Sequence, residues 1–233
     1  MSTSGTTDRW RPAFRQYFWR RPEWWMLTLS GISWVYFLAP LAGSTHDHHR
    51  AASLATLHWA AMIGAMMFPL LIGNVRVVAN RSLWPRRNRA IALYLTGYLA
   101  PWMAYGAAAI SALLYFKIPF SGAVGLLTAA LWQLTGWKRR GLLGCHRTEP
   151  LTPSGWRADL DCLRSGWNSA GSCLMSCWAL MLPCVGSPHS AWLMPSVAIF
   201  SWLERSTNRP VNSRFALALI AGAIVAALGQ FGH

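Results

Sequence analysis

The sequence predicts an all-α fold, a polytopic membrane helix bundle of about seven transmembrane helices. Of its 233 residues, 54% are hydrophobic and only 12% are charged, whereas a soluble domain carries about 25% charged residues. The apolar residues form runs of about twenty, the length that an α-helix needs to cross a bilayer. The basic residues lie between these runs. The composition therefore excludes an ordinary soluble enzyme and leaves no room for a large soluble domain.

Seven apolar runs define the expected crossings. They cover residues 24–43, 57–75, 90–116, 118–137, 168–186, 189–203 and 215–231. We expect residues 1–23 to form a cytoplasmic interfacial segment, basic and aromatic, and residues 24–231 to form a single transmembrane helical domain. The run at 189–203 contains Pro195 and is shorter than the roughly 17–25 residues of a spanning helix. A re-entrant segment there, with six crossings in total, is the alternative.

The charge distribution predicts the orientation of these helices. The chain has 21 Lys and Arg against 7 Asp and Glu, a net charge of +14. With a cytoplasmic N-terminus and seven crossings, 19 of the 21 basic residues fall on the inner side, and only Arg50 and Lys117 lie outside. The basic excess therefore indicates an integral membrane protein, which we assign to the bacterial cytoplasmic (inner) membrane. Membrane lipids are expected partners, and nucleic acids are not.

The first outer loop is rich in histidine. Residues 45–50 contain His46, His48 and His49 around the carboxylate of Asp47. Imidazole is a common metal ligand, and a nearby carboxylate can bind the metal or orient an imidazole. The loop therefore predicts a metal-binding tract on the outer side. A solvated polar loop is the alternative.

The second apolar run carries soft metal donors on one helix face. His58, Met62 and Met66 are spaced by four residues, and Met67 follows directly. Thioether sulfur is a neutral donor that suits Cu(I), and it avoids placing carboxylates in hydrocarbon. The spacing therefore favours a copper path that descends from the outer surface. Methionine that only fills space in the core is the alternative.

The fifth apolar run carries a matching stripe. Its members are Cys173, Cys177, Met181 and Cys184, spaced by four, four and three residues. This helix runs outward while the second runs inward, so its outer end lies at the depth of His58. We therefore expect the two helices to be neighbours, with the two stripes facing each other. Free cysteine is also a common buried residue, so a purely structural stripe is the alternative.

The inner loop after the fourth run also holds candidate ligands. Cys145 and His146 precede four further side chains of this kind, namely Glu149, Asp159, Asp161 and Cys162. Their spacing matches no zinc-finger pattern, which favours an arginine-rich loop with incidental acids over a metal acceptor site. We expect Glu204, which Arg205 follows, to form an ion pair at the inner interface.

Several motifs resemble a known family. They are HWAAMIGAMMFP at 58–69, GYLAPW at 97–102, GCHRTEP at 144–150, SCLMSCWALM at 172–181 and WLE at 202–204. Together they resemble the predicted metal-binding integral membrane family, a former domain of unknown function. That family includes the membrane copper chaperone that accompanies a tyrosinase-type polyphenol oxidase.

The resemblance implies copper handling by specific residues. These are Met62, Met66 and Met67 of the methionine motif, and Cys173 and Cys177 of the cysteine motif. The sequence departs from the family pattern in two places. Ser176 stands where the family commonly has the first cysteine of a pair, and residues 187–189 replace a Gly-x-Met-Asn turn.

Two functions compete on these observations. The first is a membrane copper-binding chaperone, not an enzyme, that supplies or holds copper, as Cu(I), for a cuproenzyme. The second is a non-catalytic accessory subunit packed in a larger membrane oxidase, monooxygenase or photosynthetic complex. An integral membrane oxidoreductase using copper or haem has weaker support, because the sequence offers few His pairs at matched depth for haem. Copper content and co-purifying proteins distinguish the first two.

Overall fold

A computed structural model describes residues 21–38, 48–116, 122–186, 193–207, 216–222 and 224. The α-helices are α1 (Trp24–Leu38), α2 (His48–Arg81), α3 (Arg87–Phe116), α4 (Gly122–Gln133), α5 (Gly136–Cys145), α6 (Gly155–Gly186) and α7 (Leu193–Thr207). A 3-10 turn at Trp84–Arg86 joins α2 to α3, and residues 216–222 are also helical. The described residues contain no strand, which confirms the all-α prediction for this part of the chain.

Three predicted segments have different bounds in the structure. Helix α2 begins at His48, well before the apolar run, because alanine and leucine between them are strong helix formers. Helix α6 begins at Gly155, within the predicted inner loop. The run at 118–137 is not one helix. The Thr135 side chain caps a new helix by accepting a hydrogen bond from the backbone N–H of Lys138, so α4 is only 12 residues long.

Helix α6 is central, and it packs against α3, α4 and α5. Glycines allow the closest approach. A Cβ atom on Gly97 would lie 2.2 Å from the Leu163 carbonyl oxygen, and one on Gly166 would lie 2.0 Å from the Tyr94 carbonyl oxygen. The backbones of α3 and α6 therefore touch directly, as small residues permit in helix bundles. This contact fixes the position of the α3 side chains that face the outer half of α6.

Pro69 interrupts the hydrogen bonding of α2. Proline has no N–H, so it cannot donate to the carbonyl of Ala65 one turn earlier. In the structure that carbonyl accepts hydrogen bonds from Ser30 Oγ and from Trp34 Nε1 of α1, each at 3.1 Å. The freed backbone group thus holds α1 against α2 next to the methionine motif.

Polar and charged side chains gather at one end of the bundle. Arg76 at the end of α2 binds buried Glu23 at the start of α1, at 2.5 Å. Arg89 pairs with Asp159 at 2.6 Å, and Arg86 pairs with the same carboxylate. The segment after α2 therefore meets the segment around the start of α6. Both belong to the side that the charge distribution predicts to be inner, and the loop acids bind arginines of that side.

One described stretch, Leu54–Arg81, is long and apolar enough to cross a membrane by length and composition alone, and this finding by itself is weak evidence. Helix α4 is apolar but short. Residues 1–20 of the predicted interfacial segment at 1–23, His46 and the start of the sixth run at 189–192 lie outside the described residues.

Candidate metal centre

A buried contact joins the methionine and cysteine motifs. The Cys173 thiol donates a hydrogen bond to the Met67 thioether at 3.7 Å, and it accepts one from the Tyr98 hydroxyl at 3.1 Å. All three side chains are buried, with at most 1% of their surface exposed. Helices α2, α3 and α6 therefore each contribute one side chain to this point. Tyr98 directly follows Gly97, where α3 approaches α6 most closely, and its side chain reaches the thiol farther along α6.

Two more thiols lie beside Cys173. The thiols of Cys145 and Cys177 are both near enough to act electrostatically on the Cys173 thiol. Ser176 lies between them, with its hydroxyl 3.4 Å from Cys177 Sγ and 3.8 Å from Cys145 Sγ. Cys145 ends α5, which approaches α6 at Gly141, where a Cβ atom would lie 2.9 Å from the Ser176 nitrogen. We call Met67, Cys145, Cys173 and Cys177 the sulfur cluster.

Two cations adjoin the sulfur cluster. Lys138 is buried and forms an ion pair with Glu204 at 2.8 Å, and Gln133 Nε2 donates a hydrogen bond to the same carboxylate. The predicted ion pair of Glu204 therefore exists, but this partner is Lys138 of α5 and not the adjacent Arg205. Arg205 instead donates to the backbone carbonyl of Cys145 at 3.3 Å. Positive charge near thiols favours the thiolate, which is the form that binds metals.

The Cys145 thiol shows this effect. Its pKa is lowered to about 7, mainly by the interaction with the Cys173 thiol and also by the Arg205 charge and the Ser176 hydroxyl, while burial opposes the shift. Cys145 lies in the segment between the fourth and fifth apolar runs. The surroundings of this thiol therefore favour its thiolate form.

The other predicted ligands occupy different positions. Met62, Met66, Met181 and Cys184 are buried in the core, but the methionine that hydrogen-bonds the thiol is Met67. Partly buried His58 packs edge-on against Phe37 of α1, with ring centroids 4.5 Å apart. His48 and His49 begin α2 rather than belonging to a loop, and their side chains, like all of His46, lie outside the described part.

The helix pairing differs from the prediction. Helix α2 packs mainly against α1 and α3, and within the described residues it does not pack closely along α6. Met67 and Cys173 nevertheless reach each other, because both side chains point into the same core. The relative shift of these two antiparallel helices along their axes differs from the predicted shift by less than one helical turn. The expectation of directly adjacent helices is therefore wrong, while the depth matching of the two motifs agrees with the structure.

The donors are sulfur atoms and not a set of hard or mixed ligands. In the described ranges, no three His, Cys, Asp or Glu side chains form a group that could hold a metal ion. A site at the sulfur cluster must therefore include the Met67 thioether. The thioether suits a soft monovalent ion, and the donor set disfavours Mg²⁺, which uses hard oxygen ligands.

Sequence reasoning missed three residues of this region. Cys145 was assigned to an incidental inner loop, and Tyr98 and Lys138 were assigned no role. Cys145 and Tyr98 belong to the motifs at 144–150 and 97–102, which is the signal that could have identified them. Lys138 offered no signal, since it stands in a run of basic residues.

Comparison with known proteins identifies the family. No curated protein matches the chain significantly. No solved structure does so either. The model of a family described as PpoB2, copper chaperone, matches residues 56–231. This match includes α3 to α7, most of α2, and every residue of the sulfur cluster. It confirms the family resemblance of the motifs and supports a copper-handling role. The chain therefore belongs to the PpoB2 copper chaperone family.

Proposed function

We propose that this chain is an integral membrane chaperone that holds Cu(I) at the sulfur cluster and supplies it to a cuproenzyme. The observation that carries the proposal is the buried contact between Cys173 and Met67. These residues are contributed by two helices far apart in sequence and belong to the two motifs that resemble the family. Cu(I) prefers thiolate and thioether donors to nitrogen and oxygen.

The sulfur separation suits a shared metal ion. At a metal–sulfur distance of about 2.3 Å, sulfurs 3.7 Å apart subtend an angle of about 107° at the ion. This angle is close to tetrahedral, so Met67 and Cys173 need little movement to bind one ion. Cys177 lies one helical turn from Cys173 and interacts with the same thiol, so we assign it as the third donor.

Charge compensation supports the same assignment. Two thiolates with one Cu(I) leave a net negative charge, and an isolated buried charge is costly. Arg205 donates to the Cys145 carbonyl and can offset that charge, whereas the charge of Lys138 is already balanced by Glu204. The Arg205 guanidinium therefore supports thiolate ligands at the cluster.

The remaining predicted ligands form the outer part of the proposed path. We assign His46, His48 and His49 to uptake at the outer surface, with His58, Met62 and Met66 below them on α2. Met181 and Cys184 lie beyond Cys177 along α6, at increasing distance from the inner end. The offset between Met67 and Cys173 supports this order, because it places the outer residues of both helices at similar depths.

A membrane location is supported by the surface of the helices. Large apolar side chains are exposed on several of them, including Ile32 and Val35 of α1 and Leu131 of α4. Such faces are costly in water and favourable in lipid. We propose residues 24–231 as one transmembrane domain in a bacterial inner membrane. Helix α7 is shorter than a spanning helix, so the proposal includes six crossings beside seven.

The proposal is tested by copper loading of the detergent-purified full chain under reducing, anaerobic conditions. Cys173→Ser is compared with Cys162→Ser, which removes a buried thiol of the same helix that is not part of the cluster. We expect about one Cu(I) per chain, sulfur-only coordination by X-ray absorption, and an affinity loss of at least about tenfold for Cys173→Ser alone. Equal losses in both variants would contradict the site. Metal-free protein that co-purifies with a large membrane complex would favour the accessory subunit.

A further inference from the structure

A cavity lies beside the sulfur cluster at the inner end of the bundle. It has a volume of about 420 Å³, which falls within the roughly 300–1,000 Å³ of small-molecule sites. Its walls come from the end of α5, the segment after it, and the middle of α6. The lining includes Arg140, Gly144, Arg147, Ser165, Asn168 and Ser172.

The cavity and the thiols share two pieces of backbone. Gly144 lines the cavity and its neighbour Cys145 belongs to the cluster, and Ser172 lines the cavity next to Cys173. A Cβ atom on Gly144 would lie 2.4 Å from Ser172 Oγ, so these two residues touch. One layer of small side chains therefore separates the cavity from the thiols.

The cavity lining favours an anion. It carries the guanidinium groups of Arg140 and Arg147, with hydroxyl groups from serines of α6. Its carboxylate, Glu149, accepts a hydrogen bond from Asn168 at 2.7 Å. Guanidinium groups bind carboxylates and phosphates well, and the serine hydroxyls can donate hydrogen bonds to the same groups.

The same charges oppose a bare copper ion. A free monovalent cation at this end meets Arg140 and Arg147 as well as the other arginines of the inner loops, so its local concentration is reduced. Copper that crosses this surface must therefore be carried in a complex whose net charge is zero or negative. A carboxylate-bearing thiol meets this requirement, because its thiolate binds Cu(I) while its carboxylates bind arginine.

We propose that this cavity binds a small carboxylate-bearing thiol complexed with Cu(I), and that copper exchanges there between the carrier and the sulfur cluster. This inference rests on the proposed function. In the exchange, a bond from copper to the Cys145 sulfur forms as the bond to the carrier sulfur breaks. Copper then bonds to the Cys173 sulfur as its bond to Cys145 breaks. Copper remains Cu(I) throughout, and at each step the proton of the incoming thiol passes to the thiolate that leaves. The reverse sequence releases copper.

The test compares two monothiol carriers, 2-mercaptosuccinate with two carboxylates and neutral 2-mercaptoethanol. Cu(I) transfer from each to the purified full chain is followed by stopped-flow ultraviolet absorbance of the copper–thiolate bonds. The cavity variant Arg140→Gln/Arg147→Gln is compared with Arg139→Gln/Arg157→Gln, which removes the same charge from exposed positions outside the cavity. The deciding quantity is the ratio of the two transfer rates within each variant, because a change of the metal site itself alters both rates alike.

We expect the cavity variant to slow transfer from 2-mercaptosuccinate by about tenfold relative to 2-mercaptoethanol, and the control variant to leave the ratio within about twofold of wild type. An unchanged ratio in the cavity variant, or an equal change in the control, would overturn the inference. So would transfer from 2-mercaptosuccinate that is lost in phosphatidylglycerol nanodiscs but retained in phosphatidylcholine ones, since a lipid headgroup would then occupy the cavity. An absence of equilibrium Cu(I) binding would instead refute the proposed function.

Discussion

Cys173 and Met67 lie 3.7 Å apart, sulfur to sulfur, although 106 residues separate them in the chain. Both are buried, and the Cys173 thiol also accepts a hydrogen bond from the Tyr98 hydroxyl. A thiol–thioether hydrogen bond contributes little stability. This hydrogen bond therefore adds little to the packing, and the convergence of these side chains with two more thiols is what the proposed copper site would explain.

Replacing Met67 by Leu should weaken Cu(I) binding by at least about tenfold, because the thioether donor is lost. The protein should remain folded, since this substitution nearly conserves volume and costs less than about 1.5 kcal/mol. Met26→Leu is the matched control, because Met26 is also fully buried but lies on α1. Affinity is measured by competition with a chromogenic Cu(I) chelator. Unchanged affinity in the Met67 variant would show that this methionine only fills space.

The contact of α3 with α6 should not tolerate a methyl group. Gly166→Ala places a Cβ atom against the Tyr94 carbonyl oxygen, which cannot move without displacing a helix, and we expect a cost of about 1–3 kcal/mol. Gly171→Ala lies on the same helix with nothing within 4 Å, and it should be neutral or stabilise by about 0.5–1 kcal/mol. Thermal unfolding in detergent measures both. Similar stability of the two variants would refute the close helix packing.

The helices were predictable because apolar runs and their spacing determine which segments become helical and which face is buried. The methionine and cysteine stripes and their antiparallel depth matching followed from the same periodicity. The position of Cys145 did not, because it depends on the turn at Thr135 that splits the fourth run into α4 and α5. That turn brings the end of α5 back against α6. Which helices become neighbours depends on glycine contacts such as that of Gly166, and these have no periodic signature.

Hydrogen bonds to the Ala65 carbonyl should stabilise the packing of α1 against α2. Trp34→Phe removes one of its two hydrogen-bond donors, and we expect a cost of about 1 kcal/mol. Pro69→Ala restores an N–H that can bond this carbonyl within α2. In the Pro69→Ala background, Trp34→Phe should therefore cost less than about 0.5 kcal/mol. A double-mutant cycle of unfolding free energies tests this, and strict additivity would contradict the explanation.

The stability of the fold should depend on both partners of the buried ion pair between Lys138 and Glu204. Glu204→Gln leaves the Lys138 ammonium buried without a carboxylate, and Lys138→Met leaves the Glu204 carboxylate buried without an ammonium. Each variant should therefore lose about 3–5 kcal/mol of unfolding free energy. The double variant removes both charges and should be markedly more stable than either single variant. Unfolding in denaturing detergent compares the three. If the loss of stability in the double variant equalled the sum of the two single losses, the two residues would have no energetic coupling.

Contacts between two polar segments determine the expected orientation of the bundle in a membrane. Arg81 donates to the Glu149 backbone carbonyl at 2.7 Å, and Arg86 and Arg89 pair with Asp159, so the segments around 81–89 and 148–159 must lie on the same side of a membrane. The excess of arginine there predicts the cytoplasmic side. Asn88→Cys and Thr148→Cys place thiols at exposed positions in the two segments. A membrane-impermeant maleimide should label both in inverted vesicles and neither in intact cells.

The five native cysteines are all buried, so the wild-type chain provides the background signal. Labelling of both positions only from outside would reverse the proposed topology, and with it the assignment of the histidine residues to uptake and of the arginine-lined cavity to the inner side. Labelling of the two positions from opposite sides would contradict the contacts between the two segments. The placement of Cys145 beside Cys173 would then need revision as well.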